Sequence, residues 1–216
     1  MLDVDNTLLD NDKVKADLQD RVVQFAGEDR AETFWAEYER VRVELDYVDL
    51  GLTLSRFRAA FPDLMTYPEL AAGVLFYPFE ESLYPGVGDV LTHLRTMGAV
   101  AILSDGDPVF QPAKIARTGL ADACDEHVLV YPHKERELEK VQSLIRADVY
   151  VFIDDKPTIL QAVKEEMGQR AVTVHVRQGK YARAAEPGEP VADIELGGIV
   201  DVLGVTREQL LGHVAG

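Results

Sequence analysis

Val149-Tyr150-Val151-Phe152-Ile153-Asp154-Asp155-Lys156-Pro157 is the stretch from which the fold is read. Its apolar run, rich in β-branched and aromatic side chains, predicts a strand buried on both faces, as in a parallel sheet. Two carboxylates follow at once, then a proline suited to the first turn of a helix. Carboxylates beside so apolar a strand are costly unless a cation or hydrogen-bond donors satisfy them. The plainer reading of the same residues is an acidic helix N-terminus, where aspartate is favourable in any case.

Outward from this stretch, strand and helix patterns alternate over residues 85–200. Val87, Val90, Leu91 and Leu94 make one helical face ended by Gly98, and 99–103 reads as a buried strand. A helix at 111–117 stops at Gly119, 127–131 is a short strand, and 135–146 is a helix. Beyond the quoted strand come a helix at 158–167 capped by Gly168, a strand at 171–176, a loop at 186–190 and a last short strand within 194–199. Such alternation predicts an α/β fold: a doubly wound, Rossmann-like parallel sheet with helices on both faces.

Residues 12–83 carry no strand signal. Val14, Leu18, Val22 and Phe25 recur at helical spacing, as do Phe34, Trp35, Tyr38, Val41 and Leu45. Leu52, Leu54 and Phe57 begin a third helix ended by Pro62, and Leu70, Val74 and Leu75 mark a fourth before Pro78. The chain thus divides into an α/β core at 1–11 and 84–216 and an all-helical insert at 12–83. Most aromatics of the insert fall at spacings that suit its own core.

The bulk properties narrow the partners. With 216 residues and 47% hydrophobic composition, the chain is long enough for a catalytic core plus a small second unit. A formal charge of -16 disfavours nucleic acid, whose phosphates are held by positive clusters. Cys124 is the only cysteine, so no internal disulfide forms, which fits a reducing compartment. No run of eighteen apolar residues and no signal-peptide pattern occurs, so the reading is a cytoplasmic protein without membrane partners.

In a doubly wound sheet, ligands bind outside the carboxyl ends of the strands. Polar clusters stand at those ends here. Asp3-Val4-Asp5-Asn6-Thr7-Leu8 sets two carboxylates at i and i+2, on one side of an extended backbone. A carboxylate can attack phosphorus, and a neighbouring one can act as acid and base. A pair of turn-capping aspartates is the bland alternative. Asn6 suits a left-handed turn, and Thr7 can hold that turn or cap a helix. Ser104-Asp105-Gly106 follows the 99–103 strand, offering a hydroxyl and a close backbone approach, although such tripeptides are common turns. Lys134 follows the 127–131 strand and supplies a cation that could offset a phosphate dianion. Its rival, Lys114, reads as a helix-surface lysine with its charge in solvent.

These four clusters, in this order, resemble the four motifs of the haloacid dehalogenase-like hydrolases, and the helical insert resembles that family's cap. The resemblance covers nearly the whole chain. It implies Asp3 as nucleophile, Asp5 as acid/base, Ser104 and Lys134 as catalytic groups, and Thr7, Ser104, Asp105, Gly106 and Lys134 around the substrate phosphoryl group. It implies Mg2+ held by Asp3, the backbone carbonyl of Asp5 and Asp155, with Asp154 assisting. Members that break carbon–halogen bonds lack an aspartate where Asp5 stands, because halide leaves without a proton. Asp5 therefore points to a small-molecule phosphate ester as substrate. A catalytically silent binding protein and a phosphotransferase or mutase are the alternatives. In the cap, Trp35, Tyr38, Arg40, Arg42, Tyr47, Arg56 and Arg58 are candidate substrate readers. Only Met1 and Leu2 precede Asp3, so the reading favours a chain that starts upstream over a central strand this short.

Overall fold

The structure, a computed structural model, describes residues 1–180 and 192–214. The loop expected at 186–190 lies outside them. Among the described residues five strands run parallel: β1 (Ile102–Asp105), β2 (Val128–Tyr131), β3 (Tyr150–Asp154), β4 (Ala171–Val176) and β5 (Ile194–Leu196). β1 pairs with β2, β3 pairs with β4, and β4 pairs with β5.

The opening residues join these two groups. Leu2 forms parallel bridges to Ile102 on one side and Ile153 on the other, giving the order β2-β1-Leu2-β3-β4-β5. The Leu2 N–H donates to Ala101 at 2.9 Å and the Leu103 N–H to Leu2 at 2.9 Å, while the Asp3 N–H donates to Ile153 at 3.0 Å and the Ile153 N–H to Met1 at 3.0 Å. So short a segment therefore ties into the ladder on both edges, and Asp3 is held by backbone bonds at the centre of the sheet.

Strand alternation divides the sheet into two apolar faces. Leu2, Ile102, Ile153, Val172, Val174 and Val176 pack with Val87, Val90 and Leu91 of one helix (Val87–Arg95) and with Ile199 and Val202. Leu103, Tyr150, Phe152 and Ala171 pack on the other side with Leu138 and Val141 of the helix Leu138–Leu144 and with Leu160, Val163 and Met167 of the helix Pro157–Met167. Both faces are covered, as the continuous apolar strands require.

The insert is helical throughout its regular elements: α1 (Asn11–Ala26), α2 (Glu28–Leu45), α3 (Leu50–Ala60) and α4 (Tyr67–Leu75). Val14, Leu18, Val22, Phe34, Leu54, Phe57, Leu70 and Val74 fill its interior, with Phe34 edge-on to Phe57 at 5.4 Å. Among the described residues no helix is long and apolar enough to cross a membrane.

One expected helix is shortened. In place of 135–146, a 3₁₀ turn at Lys134–Arg136 precedes the helix Leu138–Leu144. The cause is local: the Lys134 backbone N–H donates to the Asp105 carboxylate at 3.1 Å and the Lys134 side chain turns inward, so the chain bends before it can begin a regular helix.

Candidate active site

Three strand ends and one turn converge on Lys134. Its ammonium is buried and lies 2.5 Å from Asp3 Oδ1 and 2.6 Å from Asp154 Oδ2, and it donates to the Leu103 carbonyl at 3.3 Å. Burial alone would lower its proton affinity, but Asp154, Asp3 and Asp105 outweigh that and hold it raised. The Thr7 hydroxyl donates to Asp3 Oδ2 at 3.4 Å, so it braces the first carboxylate as well as standing in the turn. Burial pushes the Asp3 carboxyl up to about 7, against the pull of Lys134. Asp105 is engaged inside the site: Lys156 pairs with its Oδ2 at 2.8 Å.

Asp155 differs from its neighbour. Asp154 has Lys134 on one oxygen and the Lys156 N–H on the other at 2.9 Å. Asp155 is 0% exposed, and neither of its carboxylate oxygens has a hydrogen-bond partner. Burial, with Asp3 and Asp154 nearby, pushes its carboxyl up to about 9. One oxygen each of Asp3, Asp154 and Asp155 falls within a 4.8 Å cluster. Buried carboxylates without donors are the arrangement that a hard divalent cation satisfies, so these residues fit Mg2+. His175 Nε2 donates to the Asp155 carbonyl at 3.2 Å and fixes the backbone there, while Nδ1 faces Glu195 at 3.2 Å.

Asp5 reaches the same cleft from the other side. Its Oδ2 accepts from Gln111 Nε2 at 3.0 Å, and the same amide reaches Ser104 Oγ at 3.0 Å. Its Oδ1 is paired with Lys114. Lys114 is therefore no surface lysine: it is 4% exposed, on the helix Phe110–Arg117. The expectation of a solvated charge fails because helical spacing puts Gln111 and Lys114, three apart, on the face turned to the strand ends. In the sequence the three-residue spacing puts Gln111 and Lys114 on one helix face, and only the packed sheet shows what that face meets.

Backbone geometry fixes the loops. Asn6 takes the left-handed conformation at φ 62°, as its residue type suggests. Its Oδ1 also accepts from the Asn11 and Asp12 N–H groups at 3.0 and 3.2 Å, so it caps α1 as well. Gly106, at φ 152°, lies so close to Gln111 that a Cβ there would meet its side chain at 2.8 Å.

The cleft between core and insert has a volume of about 650 Å³. Asp3, Asp5, Asp105, Gly106 and Lys114 line its core side, and Trp35, Tyr38, Arg42 and Tyr47 its helical side. Of the candidate readers, these four face the cleft, so the aromatics divide between cap core and cleft wall. Arg42 is also paired, with Glu39 at 2.8 Å; away from the cleft wall, Arg40 pairs with Glu37, Arg56 pairs with Glu44 at 2.7 Å, and Arg58 donates to the Leu64 carbonyl at 3.0 Å. His133 pairs with Asp46 at 3.2 Å, linking the core to the insert.

The family model for haloacid dehalogenase-like hydrolases matches residues 1–176. A structure from Burkholderia xenovorans LB400, described as a haloacid dehalogenase-like hydrolase, is 42% identical and superimposes with a TM-score of 0.87 over 97% of this chain and 96% of its own. The 2-haloacid dehalogenase of Pseudomonas syringae pv. tomato DC3000 shares the fold at 18% identity, with a TM-score of 0.64 over 94% of this chain and 96% of its own. The magnesium-bound HAD-hydrolase YfnB of Bacillus subtilis does so at 14% identity, with a TM-score of 0.61 over 94% and 95%. No curated protein gave a significant sequence match. The parallel sheet, the helical cap and the acidic cluster at the strand ends agree with the family match and with the 42% identical relative: this chain belongs to the haloacid dehalogenase-like hydrolases.

Proposed function

We propose that the protein is a Mg2+-dependent phosphomonoester hydrolase of small soluble metabolites, working through an aspartyl phosphate on Asp3. The observation that carries this reading is Asp5, a second carboxylate two residues from Asp3, which lines the same cleft and is 27% exposed. A halide departs without a proton, whereas an alkoxide must be protonated to leave, and Asp5 is the group positioned to do so.

Asp3 attacks phosphorus as the bond to the ester oxygen breaks, and Asp5 gives its proton to that oxygen. Water then attacks the phosphoryl group, Asp5 takes the water's proton, and inorganic phosphate leaves with Asp3 restored. Lys134 offsets the charge gathered between nucleophile and phosphate. Ser104, Thr7 and the backbone at Asp105 and Gly106 hold the phosphoryl oxygens. Asp3, Asp155 and the backbone carbonyl of Asp5 would hold Mg2+, with Asp154 assisting. The unpartnered oxygens of Asp155 and the satisfied ones of Asp154 support that division. Bound there, the ion neutralises the carboxylates and draws charge from the phosphoryl oxygens.

A frayed, displaced Asp3 would favour the alternative of a silent binding protein, because in-line attack needs the carboxylate held in place. The backbone bonds of Leu2 and Asp3 to both neighbouring strands support the enzyme reading instead. The test is release of phosphate from a panel of phosphorylated sugars, nucleotides and short acids, with Mg2+ and with EDTA, by the protein and its Asp3→Asn variant. Turnover by the protein alone, abolished by EDTA and poorly supported by Ca2+, is expected. Equal turnover by both proteins would end the assignment.

A further inference from the structure

We propose that Lys114, together with Gln111, is a positioning device for Asp5: the two side chains hold its carboxyl group in line with the departing ester oxygen. The proposal rests on the phosphatase reading and deepens it.

The Lys114 ammonium is buried, which is unfavourable unless it is paired and hydrogen-bonded. Its ion-pair partner among the described residues is Asp5, and it also reaches Asn11 Oδ1 at 3.4 Å and lies 5.6 Å from the Phe79 ring. A buried ion pair contributes little net stability compared with an apolar pair of similar volume. Core packing therefore gives no reason for a lysine here. The pair is asymmetric as well: Lys114 is 4% exposed and Asp5 27%. The cation is the fixed member, and the carboxylate is the one that faces the cleft.

The second anchor gives the direction. Lys114 takes Oδ1 of Asp5 and Gln111 takes Oδ2, so rotation about the carboxyl bond is blocked from both ends. A carboxylate offers about four acceptor sites, so the two bonds leave room for the transferred proton. The Gln111 amide also touches the Ser104 hydroxyl, which ties the orientation of Asp5 to the phosphoryl-binding side of the cleft. Gly106 packs against the Gln111 side chain where a Cβ would meet it at 2.8 Å, so the glycine leaves the room that Gln111 occupies beside Asp5. Misplacement of a reacting group by about 1 Å can cost on the order of 100-fold in rate.

Leaving-group dependence separates positioning from mere support of the fold. An alkyl phosphate needs its leaving oxygen protonated, and p-nitrophenyl phosphate hardly does. The assay is kcat/KM with Mg2+ for both esters, measured for the protein and for Lys114→Met, Lys114→Arg, Asp5→Asn and the Asp5→Asn/Lys114→Met double variant. We expect Lys114→Met to lose about 100-fold on the alkyl ester and less than a tenth of that loss on the aryl ester, matching the pattern of Asp5→Asn. The double variant should lose no more than Asp5→Asn alone, and Lys114→Arg should recover most of the alkyl-ester rate. Equal losses on the two esters, or losses that multiply in the double variant, would overturn the proposal while leaving the phosphatase reading intact. Absence of turnover of either ester by the unmodified protein would overturn both.

Discussion

Replacing Asp155 by asparagine has opposite consequences with and without a divalent ion, and the size of the effect follows from burial. In the folded, metal-free chain the Asp155 carboxyl is pushed from 3.8 up to about 9 by burial and by Asp3 and Asp154. At pH 8 the folded form holds this proton and the unfolded form has lost it. The sign is therefore definite: stability from this group is present below about pH 4 and is lost progressively as pH rises toward 9. Each pH unit above 3.8 costs about 1.36 kcal/mol, on the order of 5 kcal/mol at pH 8. Asparagine keeps the shape without the titration, so Asp155→Asn in EDTA at pH 8 should melt roughly 10 °C higher than the unmodified protein. The gap should narrow as pH falls to 5. With saturating Mg2+ the unmodified protein should rise and the variant should not, because binding to the folded state alone stabilises it. Thermal melts in EDTA and Mg2+ at several pH values measure all of this. A variant that melts lower in EDTA at pH 8, with Mg2+ moving neither protein, would refute the account of Asp155.

Other consequences follow from single residues. Lys134→Met leaves Asp3 and Asp154 buried beside each other without their cation, and urea titration should show a loss of about 3–5 kcal/mol at unchanged m-value. Gly179→Ala places a Cβ 2.4 Å from Cγ of Asn6 at a φ of 61°, so it should cost about 1–3 kcal/mol and depress turnover by moving the Asn6 turn. Cys124 is buried and its thiol is pushed up to about 11, so native protein at pH 8 should react with a thiol reagent only slowly, and in urea with one equivalent at once. Asp46→Asn removes the exposed side of the His133 pair between core and cap; it should change stability by less than about 1 kcal/mol, read by the same titration.

Much of this was legible in the sequence because buried parallel strands are apolar throughout and end abruptly. The tips at Ser104 and Asp154 stand where such runs stop. The helices of the cap were readable from apolar residues three and four apart, such as Val14, Leu18 and Val22. The rest depended on packing between distant segments. Lys114 looked like any amphipathic-helix lysine until the sheet brought Asp5 against it, 109 residues away. Trp35 and Tyr38 share the helical spacing of Phe34 yet face the cleft, since spacing identifies a face and not what lies opposite. Leu2, ahead of Asp3, carried no strand signal of its own, because its order comes from the ladders on either side. The division of labour between Asp154 and Asp155 depends on Lys134 and the Lys156 N–H reaching only the first.

The central claim is that Asp3 takes the phosphoryl group from the substrate. Its most direct test is a single turnover with Mg2+ and a phosphomonoester, quenched in acid and analysed by peptide mass. The peptide carrying Asp3 should gain one phosphoryl group, release it with hydroxylamine, and gain nothing in the Asp3→Asn variant. Turnover with no modified peptide, or with the phosphoryl group on another residue, would contradict the account.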